Sequence, residues 1–264
     1  MFKLHILASG SRGNAAVVEN AATGRGVLID CGICKRDFFA RCDEAGFDPA
    51  KLDAVLITHE HGDHTKGIGV TMRGLAKLGR RPAIYAAPAT LQASKHLQDI
   101  EETCEIRALA PEALVSAAGM SIVAFATSHD AAASFGFRIE ANGDAAGFMT
   151  DTGIVTDAAH AHLQDVRLLA LESNHDPRML SEGPYPYVVK RRIASDEGHL
   201  SNEQGAEELA SLLSTRLEAV AAMHVSENNN EYDLAKQGFR AVTEREGHPA
   251  RIACGYQGRL TTLS

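Results

Sequence analysis

Short apolar runs recur along the chain, separated by polar turns that carry Gly, Pro, Asn or Asp. Runs of strand length fall at residues 3–8, 26–30, 54–58, 83–86, 121–127, 135–140, 145–150, 168–172 and 219–224. Several are continuously apolar rather than alternating, as expected for strands covered on both faces. Helical spacing appears between them. Pro88, at a first-turn position, opens a helix predicted to reach about Gln98. Ser201 and Gln204 form a capping-box pattern, followed by Ala206, Leu209, Ala210 and Leu213 on one face. Tyr232, Ala235, Phe239 and Val242 mark a last helix that should end near Gly247. No repeat or linker divides the chain, so a single domain over residues 1–264 is expected, of α/β or α+β class.

Composition narrows the function more than the fold. The 264 residues include 34 Asp and Glu against 26 Lys and Arg, a net charge of −8. That balance disfavours a protein coating nucleic acid through a broad basic surface. With no Trp, five Tyr and nine Phe, the chain is also poorly furnished as a base-stacking platform. No apolar run approaches the ~18 residues of a membrane span, and the N-terminus reads as a strand rather than a signal peptide. Five cysteines at irregular spacing suit free thiols in a reducing cytoplasm. Cys31 and Cys34 form a CxxC with no second pair to complete a zinc site, so core or loop cysteines are expected there. The twelve histidines are the unusual number.

Three of those histidines are packed into His59-Glu60-His61-Gly62-Asp63-His64, directly after the apolar run that begins near Asp53. Residues i and i+2 of a strand share a side, so His59 and His61 should converge on one ion. Gly62 should then let the backbone turn, aiming Asp63 and His64 at a second ion. So many polar groups are costly to bury unless coordinated. Imidazole with carboxylate suits zinc or manganese, with iron possible, better than calcium or magnesium.

The motif His59-x-His61-x-Asp63-His64 resembles the signature of the metallo-β-lactamase superfamily. The resemblance implies a four-layer αβ/βα sandwich with two divalent metal ions at one edge. It also implies further ligands in chain order: His129 in Thr127-Ser128-His129-Asp130, Asp151 in Thr150-Asp151-Thr152-Gly153 as the bridging carboxylate, and His224 in Met223-His224-Val225-Ser226. Asp30 in Leu28-Ile29-Asp30-Cys31-Gly32 looks like the strand-end aspartate of that fold. Three more segments are similar to the YycJ/WalJ group of bacterial exonucleases: residues 7–14, Glu172-Ser173-Asn174-His175-Asp176 and Gly198-His199-Leu200-Ser201-Asn202. His224-Val225-Ser226-Glu227-Asn228-Asn229 is a fourth. No insertion between Asp151 and His224 is large enough for the additional domain of RNase J, and no RNase Z arm is evident.

From this follows the expectation of a dinuclear phosphodiesterase, a 5′-3′ exonuclease on DNA with a metal-bridging hydroxide as nucleophile. Asp63 would help orient that hydroxide. His199, placed by Glu172, would protonate the departing sugar oxygen. Substrate contacts are expected from Ser11 and Asn14 in the first loop. They are also expected from Ser201 and Asn202, where a helix start would offer free N–H groups to phosphate. His175 is expected to support a ligand from behind. Residues 177–192 carry four cations against Glu182, with Tyr185 and Tyr187 between, and either a nucleic-acid track or a solvated face would use that pattern. The alternatives are a thioester or lactam hydrolase of the same fold, and a non-hydrolytic redox or binding protein. His5, His96, His160, His162 and His248 have no partner pattern. No membrane and no obligatory protein partner is expected.

Overall fold

The computed structural model describes residues 1–264. Its strands are β1 (Phe2–Ala8), β2 (Ala15–Asn20), β3 (Arg25–Ile29), β4 (Leu52–Leu56), β5 (Ala83–Ala86), β6 (Ile106–Ala108) and β7 (Leu114–Ala117). They continue with β8 (Met120–Ala126), β9 (Phe135–Ala141), β10 (Asp144–Met149), β11 (Leu168–Glu172), β12 (Ala219–Met223), β13 (Arg251–Cys254) and β14 (Thr261–Leu263). Two 7-stranded sheets result, in the orders β14-β1-β2-β3-β4-β5-β6 and β13-β12-β11-β10-β9-β8-β7. The helices are α1 (Lys35–Ala45), α2 (Gly62–Thr65), α3 (Ile68–Lys77), α4 (Pro88–Ala93), α5 (Lys95–Gln98) and α6 (Asp157–Leu163). After them come α7 (Pro177–Glu182), α8 (Tyr187–Ile193), α9 (Asn202–Leu212) and α10 (Tyr232–Arg245). None is long and apolar enough to cross a membrane.

Alternation along the strands explains the continuous apolar runs. In β11, Leu168 and Ala170 face the other sheet, whereas Leu169 and Leu171 face the outer helices. In β4, Ala54 and Leu56 face inward, while Leu52 and Val55 pack with α1 and α3. Both faces of each central strand are therefore dry, so binary alternation disappears from the sequence. The inner core lies between the sheets, and one further core lies beneath each helical layer. This is the expected four-layer sandwich.

Strand direction then gathers the loops. β1 and β3 each pair antiparallel with β2, and β3 pairs parallel with β4, so all three end at one edge. β8 and β10 flank β9 antiparallel, and β10, β11 and β12 run parallel, so these also share an edge. The segments that follow these strands carry Ser11, Asp30, His59–His64, His129, Asp151 and His224, and Glu172 is the last residue of β11.

Several expectations shift. The helix opened by Pro88 breaks at Ser94, which leaves the helical region and caps α5 by accepting from Leu97 N. The run at 54–58 leaves the sheet after Leu56, so the pleat does not bring His59 and His61 together. Gly62 begins the short helix α2, and a Cβ there would meet nothing, so the turn does not require glycine. Gly32 is the glycine that geometry demands: a Cβ on it would lie 1.5 Å from Asp63 O. Cys31 is buried and Cys34 exposed, with both thiols free.

Candidate metal centre

Three side chains reach the shared edge from unusual backbone positions. Asp30, Asp151 and His224 each follow a strand with φ of 57°, 56° and 53°. That left-handed conformation costs a non-glycine residue about 1–2 kcal/mol, and Asp, Asn and His tolerate it best. It ends each strand abruptly and swings the side chain across the sheet edge. Such strain concentrates at functional sites.

Seven predicted ligands converge there. His59 Nε2 and His129 Nε2 lie 3.0 and 3.3 Å from His61 Nδ1. A second group forms where Asp63 Oδ2 sits 3.4 Å from His64 Nε2 and 3.6 Å from His224 Nε2. Asp151 stands between the groups, with Oδ2 3.5 Å from His64 Nε2 and Oδ1 3.8 Å from His129 Nε2. Tetrahedral ligands about 2.0–2.1 Å from one zinc ion stand about 3.3 Å apart, so these spacings fit metal coordination. Asp151 Oδ2 and His224 Nε2 are buried with no hydrogen-bond partner, which a cation would satisfy.

Two buried carboxylates hold the ligands from behind. Asp30 accepts Thr58 N at 2.9 Å, the Thr58 hydroxyl at 2.8 Å and His64 Nδ1 at 2.7 Å. The Thr58 hydroxyl, whose O–H donates to Asp30, accepts from His59 Nδ1 at 3.0 Å. Glu172 Oε1 accepts Asp151 N at 3.1 Å, His199 Nδ1 at 2.9 Å and His224 Nδ1 at 3.1 Å. Its Oε2 accepts Thr152 N and Leu200 N, each at 3.1 Å. His129 Nδ1 is turned toward Gly198 O at 3.0 Å. Each such bond fixes the tautomer and leaves the opposite nitrogen facing the cluster.

Charge follows from this crowding. Burial disfavours an ionised Asp151, but the surrounding His224 and His64 charges outweigh it and hold the carboxyl well below its usual range. Burial likewise opposes protonated His224, yet Asp151, Asp63 and Glu172 push it up to about 10. His64 moves upward in the same way, because Asp151, Asp30 and Asp63 overcome its burial. Burial, followed by the His64 charge, drives His59 well below its ordinary value. Glu172 falls to about 2 because His199 and His224 outweigh the penalty of its burial. Buried carboxylates thus bind positive charge tightly at this centre, as a divalent cation site requires.

The remaining predicted residues separate. His199 joins Glu172 as expected and keeps its side chain 19% exposed, whereas Glu172 is fully buried. Ser11 is exposed on the first loop. Asn14 is buried instead: Oδ1 accepts Gly10 N, while Nδ2 lies 3.2 Å from Asp63 Oδ2 and 3.0 Å from His64 Nε2. It positions those side chains rather than meeting a substrate. The start of α9 is also largely closed: Asn202 N donates to His175 O and Gln204 N to Ser201 Oγ, leaving only Glu203 N without a partner. Asn202 Oδ1 accepts from Ser173 Oγ and Asn230 Nδ2, so Ser201 and Asn202 are spent inside the protein. His175 makes no ring hydrogen bond to a ligand, and its Nδ1 is buried unpaired. Thr58, Ser9 and Asn174 were not anticipated. Ser9 Oγ accepts His224 N at 2.7 Å, and Asn174 Nδ2 donates to His224 O at 2.7 Å. All three lie within one residue of a quoted motif or inside it, but nothing in their spacing announces the role.

Comparison with known proteins agrees with this geometry. A β-lactamase superfamily domain matches residues 25–225. The chain is 35% identical over 237 residues to an exodeoxyribonuclease WalJ of Streptococcus pneumoniae, covering 89% of this chain and 85% of that protein. It is 32% identical over 242 residues to an exodeoxyribonuclease YycJ of Bacillus anthracis, covering 92% and 89%. Among solved structures, the metallo-β-lactamase fold protein YhfI of Bacillus subtilis superposes with a TM-score of 0.73 at 17% identity, over 99% of both chains.

Proposed function

This chain belongs to the metallo-β-lactamase superfamily of hydrolases, and within it we propose a metal-dependent phosphodiesterase that removes nucleotides from the 5′ end of DNA. One observation carries the reading: His199, part-exposed beside the donor cluster, is held through Nδ1 by the buried Glu172. A departing sugar oxygen must be protonated, whereas the thiolate of a thioester leaves without a proton. The naming of the relatives as exodeoxyribonucleases supports the same reading.

His59, His61 and His129 would hold one ion and Asp63, His64 and His224 a second, with Asp151 between them. Zinc or manganese suits this donor set, and iron is compatible with it. Such a pair supplies Lewis acidity and an activated water as nucleophile. Asp63, on the more open side of the cluster, orients that water. As the water adds to phosphorus and the bond to the 3′-oxygen breaks, His199 Nε2 gives its proton to the departing oxygen. Glu172, ionised and buried, accepts Nδ1–H and so orients the ring as the imidazolium, whose second proton, on Nε2, is the one transferred. Ser11, with its exposed hydroxyl, is the remaining predicted contact to the substrate backbone.

The test is a paired assay of the metal-loaded protein. End-labelled DNA and RNA, each with a 5′-phosphate or 5′-hydroxyl, are compared with a thioester and a β-lactam. Release of mononucleotides from the 5′ end of DNA is expected. Turnover of the small molecules without cleavage of nucleic acid would reject the proposal.

A further inference from the structure

We propose that a cavity beside His199 is a nucleobase subsite, which receives the base of the nucleotide on the leaving-oxygen side of the cut. This rests on the phosphodiesterase reading above. The cavity has a volume of about 330 Å³ and lies between α7 and α8. Its walls include His175, Pro177, Leu180, Tyr187, Lys190 and Arg191. That size and mixture, an apolar slot with a few polar groups, suits a flat heterocycle.

Three observations point to this ligand class. His175 is 3% exposed, its ring makes no hydrogen bond within the protein, and its Nδ1 is buried without a partner. Nε2 has no partner either but is not sealed, so it is the ring nitrogen that the edge of a base can reach. Burial lowers His175 to about 4, so the ring is neutral and presents one donor and one acceptor nitrogen. Tyr187, which lines the cavity, is 73% exposed. An exposed aromatic ring lining a cavity is a stacking surface that any base can use. Finally, the Arg191 guanidinium lies 6.0 Å from the Tyr187 ring centroid, and Lys190 spans to Ser181 O at 2.7 Å. Both place positive charge where the phosphates flanking a bound base would run.

The cavity is tied to the reacting centre through the backbone. Ile193, the last residue of α8, accepts from His199 N at 2.9 Å. His175 O accepts from Asn202 N at 2.8 Å, three residues beyond His199. One wall and the floor are therefore anchored to the segment that carries the proton donor. A base seated here brings its own 3′-oxygen toward His199, and the subsite ranks substrates by their terminal nucleotide.

The experiment uses metal-loaded protein and two duplexes that differ only at the 5′-terminal residue, a normal nucleotide or its abasic tetrahydrofuran analogue. Wild type is expected to favour the base-bearing end by about tenfold in kcat/KM, with most of the difference in KM. Tyr187→Ala should bring that ratio toward one and Tyr187→Phe should restore it. His175→Leu should lower it by loss of the base-edge contact. Equal cleavage of both duplexes by wild type would overturn the subsite, as would an unchanged ratio in Tyr187→Ala. Should the wild type cleave neither duplex, the phosphodiesterase reading fails, and the cavity is judged by binding. Saturation-transfer NMR with 2′-deoxyguanosine 5′-monophosphate and with 2-deoxyribose 5-phosphate then decides. Base protons saturated in wild type but not in Tyr187→Ala sustain the subsite, and no saturation in wild type removes it.

Discussion

Asp30 and Glu172 occupy equivalent places in the two halves of the sandwich, yet they do different work. Each is buried where a strand ends, and each holds metal-facing side chains from behind. Asp30 serves only the first half, through Thr58 and His64, and every group it touches is sealed from solvent. Glu172 accepts five donors, among them a ligand histidine, the backbone of the central Asp151 and the part-exposed His199. One carboxylate is therefore scaffold alone. The other also holds His199, the proton donor of the proposed mechanism, so on that proposal disturbing it should reach both metal and chemistry. Glu172 thereby couples the orientation of His199 to that of His224 and Asp151.

Substitutions separate the two roles. The largest effect is expected at Asp151, which both halves share. Asp151→Ala should abolish hydrolysis and lower metal content measured by elemental analysis, and retention of both would remove Asp151 from the centre. Glu172→Ala should come next, costing about 3–5 kcal/mol in thermal or denaturant unfolding because it strands buried charged and polar partners. It should also lower metal content, which would separate it from a residue that serves His199 alone. His199→Ala should leave metal content intact while slowing the chemical step by about 10²–10⁴-fold. If the metal were lost as well, the division between scaffold and acid would collapse. Thr58→Val should be mildest, weakening metal affinity by about 10–100-fold in a chelator competition through the freed His59 ring. An effect on rate at saturating metal would show that the first half, too, takes part in chemistry.

The two halves also differ in how much of them can be read from the chain. His59, His61, Asp63 and His64 lie within six residues, so their density alone signals a metal site. His129, Asp151 and His224 are scattered, and each is found only by likeness to a family pattern. The pleat argument nevertheless misplaced the first group, because the sheet ends at Leu56 and a loop and helical turn bring the rings together. Ser201 and Asn202 were misjudged for a related reason. A capping box and a helix start are visible in sequence, but whether the N–H groups stay free depends on His175 O, which arrives from another segment. Asn14 was expected to contact substrate as part of the glycine-rich first loop. Its burial against Asp63 and His64 comes from packing of the first loop onto α2.

Local sequence determined the quantities that need only neighbours: apolar runs dry on both faces, the capping box at Ser201, the dense donor motif and the excess of acidic charge. The tertiary structure alone decided which carboxylates stand behind which imidazoles, which polar groups are spent internally, and that His175 faces a cavity with no partner. The physical reason is that ligand geometry, burial and hydrogen-bond satisfaction are set between strands far apart in sequence. The −8 charge illustrates the point. Counted along the chain it argues against a broad basic surface for nucleic acid, but in space Asp63, Asp151 and Glu172 turn inward among the histidines while Lys190 and Arg191 line the cavity beside α8.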